Sequence, residues 1–369
     1  MIYYYLLVAL VYSPIGVYYY FFFKRIYSLF SKKINNWVKD IFALIAILIV
    51  ILSSNPFGVW IVIFSYFFAF SLFTDLIMFI LNKIKKENKN LTRIYKCGII
   101  PLTLTIILLI FANINMTNVV EKKYDLITTK KLNTDYKIVF LSDLHYPTTM
   151  NLEKLEKYTE KITSLNADIV ILGGDIIDEN TTKKEMIDVF ETLGSIKSKY
   201  GVFFVYGNHD KAKYNGGGKH YTEEELATTI EKSNIKALVD DHYIVNNELV
   251  LLGRDDTDFP REAVRKSSED LLEGLDKNNF LLLIDHHPND LKNNEKLGYD
   301  LQLSGHTHGG QIFPTGMLDE LFNKEKLNYG YRKINDFEAI VTSGMGGWSY
   351  PFRTGTNSEY LIITIKSSI

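Results

Sequence analysis

Gly305-His306-Thr307-His308-Gly309-Gly310-Gln311 follows directly on the apolar run Leu301-Gln302-Leu303, and its reading decides how the second half of the chain folds. On an extended strand, imidazoles two residues apart point to opposite faces. Where glycines release the backbone at a strand end, both rings can turn onto one centre, so the stretch reads as a metal site. Two solvated loop histidines are the bland alternative. The distribution of histidine decides against it, because all eight lie between His145 and His308 and six of them sit in short polar motifs.

Four further polar clusters close apolar runs in the same half of the chain: Asp143-Leu144-His145, Gly174-Asp175-Ile176-Ile177-Asp178, Gly207-Asn208-His209-Asp210 and Asp285-His286-His287. Strand candidates are Lys137 to Leu141, Asp168 to Leu172, Val202 to Tyr206, Leu249 to Leu252, Phe280 to Ile284, Leu301 to Leu303, Ala339 to Thr342 and Leu361 to Ile365. Between them, Asn151 to Leu165 has apolar residues at helical spacing. Thr182-Lys183-Lys184-Glu185 and Thr222-Glu223-Glu224-Glu225 read as capping boxes, and Ser267 to Leu275 as a further helix. This is the texture of an α/β domain, in which sites assemble at the carboxyl ends of strands, so the five clusters can meet. Their donors are Asp, His and Asn without thiolate, a set suited to Mn, Fe, Zn or Mg rather than to a structural zinc. Six or seven ligands are too many for one ion and suit two ions about 3.5 to 4 Å apart. Asn215-Gly216-Gly217-Gly218 reads as a surface loop, with a substrate lid as the alternative.

The remainder of the chain differs in character. Residues 1 to 120 hold 11 Lys and Arg against three acids, net +8, and residues 121 to 369 hold 30 against 40, net −10. The acidic half argues against a nucleic acid partner, since phosphate backbones are bound through Lys and Arg patches. A single cysteine, Cys97, excludes an internal disulfide and a zinc-thiolate cluster. Ile2 to Phe23 is an apolar, tyrosine-rich run of 22 residues, enough to cross a bilayer as a helix. It lacks a basic n-region and a small-x-small cleavage site, so it does not read as a cleaved signal peptide. Further runs at Val38 to Ser54, Val59 to Leu81 and Gly98 to Ala112 bring the expected membrane helices to four, with Asn55-Pro56-Phe57-Gly58 as the turn between the second and third.

Asp75, late in the third run, reads as an interfacial or bundle-facing carboxylate rather than part of an ion pathway. Lysines and arginines fill the first and third connections and are absent from the second, which places those two loops in the cytoplasm and both termini outside it. The expected organisation is a membrane domain over 1–115, a linker leading into the next domain over 116–134, and the α/β domain over 135–369.

The five motifs, in this order, resemble the calcineurin-like metallophosphoesterases, whose pattern runs D-x-H, G-D-x-x-D, G-N-H-(D/E), H and G-H-x-H. The resemblance covers about Tyr136 to Gln311 through these motifs. Ser343-Gly344-Met345-Gly346-Gly347, with Arg353 and Glu359, extends it toward the membrane-associated phosphodiesterase branch related to the YkuE and YaeI proteins. It implies a layered fold of two packed β-sheets flanked by helices, here preceded by an all-α transmembrane anchor. It also implies two divalent ions. Asp143, His145 and His308 would hold one ion and Asn208, His286 and His306 the other, with Asp175 bridging.

In the same pattern His209 is the catalytic non-ligand histidine, oriented by Asp178. The family writes its fourth motif as His-x-Pro, so Pro288 selects His286 over His287, which is left as a substrate contact or a surface residue. Asp210, His220, His242 and Asp285 take structural readings. The arginine that follows the second motif in the protein phosphatase branch is replaced here in Asp178-Glu179-Asn180, and Arg353 is the candidate to grip phosphate instead.

The implied reaction is hydrolysis of a phosphodiester or pyrophosphate bond by a hydroxide held between the ions, on a phosphoester substrate that the membrane anchor would keep near lipid or envelope compounds. A phosphomonoesterase or nucleotidase on the same scaffold is the first alternative. A catalytically silent metal-binding membrane sensor is the second.

Overall fold

The apolar runs of the first 117 residues are all helical in the computed structural model, which describes residues 2–55, 57–84, 89–211, 220–256, 265–323 and 326–368. Pro56 of the expected turn and the Asn215-Gly216-Gly217-Gly218 loop lie outside the described residues. The chain divides into two units, Met1–Asn113 and Ile114–Ile369.

The first unit is built from α1 (Ile2–Tyr27), α2 (Asn36–Ser53), α3 (Val59–Lys83), α4 (Lys89–Cys97) and most of α5 (Ile99–Thr117). Helices α2, α3 and α5 are long and apolar enough to cross a membrane. Their outward positions are apolar too, with Leu44, Ile51, Phe79 and Ile107 exposed, the composition of a surface that meets lipid rather than water. Helix α4 occupies part of the third basic connection, where only a loop is expected, and carries Lys89, Arg93 and Lys96. Gly98 separates it from α5 at φ +70°, a conformation that suits glycine, and the Phe22 ring packs where a β-carbon would stand. Asp75 faces the helices: it accepts from Tyr18 Oη at 2.7 Å and is paired with Arg25, which also donates to Tyr95 Oη at 2.6 Å. A paired carboxylate explains an acid in an otherwise apolar helix.

The second unit holds two six-stranded mixed sheets. In the first, the spatial order is β1 (Val120–Thr128), β12 (Glu359–Ser367), β2 (Tyr136–Leu141), β3 (Ile169–Leu172), β4 (Val202–Phe204) and β5 (Ile235–Ala237). In the second it is β10 (Gly330–Ile334), β11 (Phe337–Val341), β9 (Leu301–Ser304), β8 (Phe280–Ile284), β7 (Leu249–Gly253) and β6 (Asp241–Val245). Strands β2 to β5 are parallel, as are β11, β9, β8 and β7, so their carboxyl ends share one edge within each sheet.

The central strands are continuous apolar runs because both of their faces are covered. Ile138 and Phe140 meet Leu282, Ile284, Leu301 and Leu303 between the sheets. Val139 and Leu141, one residue out of phase, pack under helices with Val189 and Phe190. Leu281 and Leu283 do the same on the far side of the second sheet.

Helices α6 (Leu152–Ser164), α7 (Lys183–Gly194) and α9 (Glu223–Lys232) form where the sequence predicts them, and both capping boxes are made, Thr182 with Glu185 and Thr222 with Glu225. Ser267 to Leu275 yields only a single 3-10 turn, Asp270–Leu272. The short helices α8 (Asn208–Lys211), α10 (Leu291–Leu297) and α11 (Thr315–Phe322) complete the unit. All eight expected strands are present. The four unexpected ones, β1, β5, β6 and β10, are the four sheet edges. The stretch 116–134, expected as a linker leading into the domain, contains β1, which pairs with β12 in the first sheet.

Leu282→Ala removes a side chain fully buried between the sheets. It should cost about 2–5 kcal/mol and lower the thermal unfolding midpoint of the detergent-purified protein, whereas Lys157→Ala, on an exposed face of α6, leaves the midpoint in place.

Candidate metal centre

The five polar clusters all converge where the carboxyl ends of β2, β3, β4, β8 and β9 meet. The chain pays for this convergence in backbone strain: Asp143, His145, Asp175, His306 and His308 all have φ between +46° and +70°. Asp and His tolerate this region better than most residues, and five such positions in one place mark a site rather than a set of accidental turns. Close approach is needed as well. A β-carbon at Gly305 would collide with Ser142 and with the Asp143 carboxylate.

Two groups of ligand atoms result. Asp143, His145 and His308 form one and Asp175, His286 and His306 the other, each with its ligand atoms within 4.8 Å of one another. In the first, His145 Nε2 lies 3.1 Å from His308 Nε2, and His308 Nε2 3.6 Å from Asp143 Oδ1. In the second, His286 Nε2 lies 3.0 Å from Asp175 Oδ2, and Asn208 Oδ1 lies 2.9 Å from His306 Nδ1. Asp175 Oδ2 is also 3.7 Å from His145 Nε2, so one carboxylate oxygen stands between the groups.

The surrounding hydrogen bonds fix this arrangement. His306 N donates to Asp143 Oδ1 at 2.9 Å, His209 N to Asp175 Oδ1 at 2.8 Å, and His286 Nδ1 pairs with Gly173 O at 2.8 Å. Asp210 is fully buried and accepts from the backbone of Asp175, Ile176, Ile177 and Gly207, which holds the Asp175 turn in shape.

The electrostatics are those of a cation site. Burial raises the Asp143 carboxyl to about 6 and lowers the His145 imidazole to about 3. Burial also holds His308 and His306 well below the usual range, reinforced by neighbouring imidazoles and, at His308, by Arg353. At Asp175 and His286 burial opposes charge but is outweighed, and the pair is held ionised by mutual attraction. Asp143 Oδ2, His145 Nδ1 and His308 Nδ1 are buried without a hydrogen-bond partner. Orphaned donors and acceptors of this kind in a fixed cluster call for a bound group. Carboxylate and imidazole donors without thiolate fit Mn, Fe, Zn or Mg.

The non-ligand residues differ from expectation in two respects. His209 is buried beside the centre, its ring 4.9 Å from that of His145, but the carboxylate at its Nδ1 belongs to Glu179. Burial opposes a proton on His209, but the Asp175 charge and the Glu179 bond raise its pKa. Asp178 instead accepts from Thr148 Oγ1 at 2.7 Å and Asn180 N at 2.8 Å. Arg353 is fully buried and donates to His308 O, Gly346 O and Thr356 Oγ1, so its guanidinium serves the backbone rather than gripping phosphate.

Gln311 has a similar structural task, its amide nitrogen reaching the carbonyls of Trp348, Tyr350 and Phe352. Asp285 is paired with Arg254 and Arg265, and His287 sits 3.4 Å from Asp256 with its ring tilted against that of His306. His220 and His242 are exposed. Only Glu179 carried a signal in the sequence, as the acid directly after the second motif; Trp348, 5.4 Å from His209, carried none.

Residues 136–310 match the model of the calcineurin-like phosphoesterase family, and the domain built on these motifs has the calcineurin-like layered α/β fold. The chain is 25% identical over 336 residues to a transmembrane protein with metallophosphoesterase domain from Danio rerio, covering 86% of this chain and 74% of that one. It is 29% identical over 298 residues to an uncharacterised metallophosphoesterase from Campylobacter jejuni, covering 80% and 76%. Among solved structures, a dimetal phosphatase from Danio rerio aligns with a TM-score of 0.40 at 13% identity, covering 57% of this chain and 87% of that one.

Metal analysis of the purified protein checks the two groups separately. Asp175→Asn, His308→Ala and His286→Ala should each lower the bound metal per chain, whereas His287→Ala retains it. Unchanged metal content in His286→Ala would remove that residue from the ligand set.

Proposed function

We propose that this chain is a membrane-anchored phosphohydrolase that uses two divalent ions to cleave a phosphodiester or pyrophosphate bond. The observation that carries the reading is Asp175 Oδ2, placed 3.0 Å from one ligand group and 3.7 Å from the other. Asp143, His145 and His308 would hold one ion, and Asn208, His286 and His306 the other, with Asp175 shared. Bound divalent ions supply an acidified water and neutralise charge on the phosphoryl oxygens.

The remaining work falls to the chain itself. Glu179 fixes the His209 ring through Nδ1, which leaves Nε2 as the nitrogen for substrate contact, where it gives a proton to the phosphoryl or leaving oxygen. Asp210 keeps the Asp175 turn rigid, and Arg353 ties the His308 carbonyl to the Gly346 segment. The Ser343–Gly347 segment, with Arg353 and Glu359, supports the YkuE/YaeI-like phosphodiesterase branch. Retention of His209 with an oriented ring argues against a silent sensor, which has no need of it.

Four spans are proposed, α1 with α2, α3 and α5, and eleven Lys and Arg in the first and third connections against none in the second put the hydrolase domain on the extracytoplasmic side. The named transmembrane relative supports the membrane setting.

Two measurements test this. The metal-loaded protein should turn over a bis-aryl phosphate faster than the corresponding monoester, and the reverse preference would favour a phosphomonoesterase. His209→Gln should lower turnover about a hundredfold with metal content unchanged, and Glu179→Gln about tenfold. Loss of metal in His209→Gln would make it a ligand. For topology, protease added outside intact spheroplasts should remove the chain beyond about Asn118, and protection there would reverse the orientation.

A further inference from the structure

Directly after the His308 ligand the chain exposes apolar side chains in one short stretch. Phe313 precedes α11, and Met317, Leu318, Leu321 and Phe322 lie on it, with Leu321 59% and Phe322 78% exposed. No residue of α11 is buried. Thr315 and Gly316 form its inner side, the Thr315 hydroxyl donating to the carbonyls of Gly310 and Ile312 and Gly316 lying against Gly309 and Asn328. A contiguous apolar surface of this kind on a soluble domain marks a docking face.

The occupant follows from where the face is anchored. Phe313 N donates to Thr354 Oγ1 at 2.8 Å, Thr354 N donates to Gln311 O at 2.9 Å, and the carbonyl of the preceding Arg353 accepts from Asn115 Nδ2 at 3.3 Å. Asn115 lies in the last turn of α5, and Ser358 bonds that turn twice more, through its amide to Asn115 O and its hydroxyl to Met116 O. A helix of 19 residues is about 28 Å long, close to the roughly 30 Å of a bilayer's hydrocarbon core. If α5 spans, Asn115 therefore stands at the membrane surface, and two hydrogen bonds, Asn115 to Arg353 and Phe313 to Thr354, link it to the apolar face. Leu and Phe beside the end of a spanning helix are the composition of an interfacial segment. Asp319 and Glu320 on the same helix do not favour an anionic surface, which leaves a zwitterionic one.

We infer that Phe313, Met317, Leu318, Leu321 and Phe322 insert into the bilayer interface and hold the metal centre against it, so that the substrate phosphoester is one carried on a lipid. The inference rests on the membrane-anchored hydrolase reading above and names where its substrate resides.

The test uses the full chain with Cys97→Ser, reconstituted in phosphatidylcholine vesicles and labelled with an environment-sensitive fluorophore at Phe322→Cys or, as a control on the exposed face of α9, at Lys232→Cys. Nitroxide lipids quenching near the headgroup should lower emission at position 322 at least twofold and leave position 232 unchanged. Equal access of iodide to both labels would overturn the insertion, as would burial at 322 that depends on protein density rather than on lipid, the result for a contact between copies. A second arm compares Leu321→Glu/Phe322→Glu with the parent on a water-soluble aryl phosphodiester and on the same diester linked to diacylglycerol in the vesicles. Turnover of the first should stay within twofold and of the second fall at least tenfold. Equal turnover of the lipid-linked diester would overturn the substrate assignment. A parent protein that cleaves neither compound would sink the hydrolase reading, while the quenching result would still decide the insertion.

Discussion

The Asp175 carboxylate is the point on which the two halves of the layered domain depend. It leaves the end of β3 in the first sheet and reaches His286 at the end of β8 in the second, with His145 beside it. Buried carboxylates are costly unless paired, and here the partners come from both sheets, so the ends of the sheets are held together by charge as their faces are by apolar packing. The rest of the second half can be read as support for that placement. The Asp210 carboxylate accepts from three backbone amides of the Asp175 turn and from Gly207 N, and the left-handed residues around it bring side chains to a focus that regular strand ends could not reach.

A second layer of support comes from residues far along the chain. Arg353 and Gln311, both buried, spend their polar atoms on carbonyls of the segments 308 and 346–352. Glu359, at the start of β12, accepts from Thr342, Ser343 and Tyr329. These are long side chains used as internal braces, each replacing backbone partners that irregular loops lack. The loops can therefore be short, strained and still well defined.

What the sequence disclosed follows the same physics. The eight strands read from it are the inner ones, whose two covered faces force continuous apolar runs. The four it concealed are edges: β1 mixes Glu121, Lys122, Lys123 and Asp125 with apolar residues, and β10 carries Arg332 and Lys333. Charge on an edge discourages pairing with other chains, and it also hides the strand from a reading based on hydrophobic runs. Several ligand candidates were legible because left-handed positions at strand ends are confined to a few residue types, Asp and His among them. The partner of His209 was not, because Asp178 and Glu179 are adjacent acids and only the local turn, with Thr148 and Asn180 claiming Asp178, decides which one faces the ring. Arg353 misled for a related reason: an arginine near a phosphate chemistry reads as a grip, and only its burial shows that backbone carbonyls take its donors.

Strand order has a consequence for how the protein is made. β12 lies between β1 and β2, parallel to the one and antiparallel to the other. The first strand after the apolar helices therefore has no partner until residues 359–367 have left the ribosome. Through the synthesis of some two hundred residues, β1 and the open side of β2 offer unpaired backbone. A nascent chain in that state is exposed to mispairing, and the charges along β1 protect it during the interval as well as afterwards.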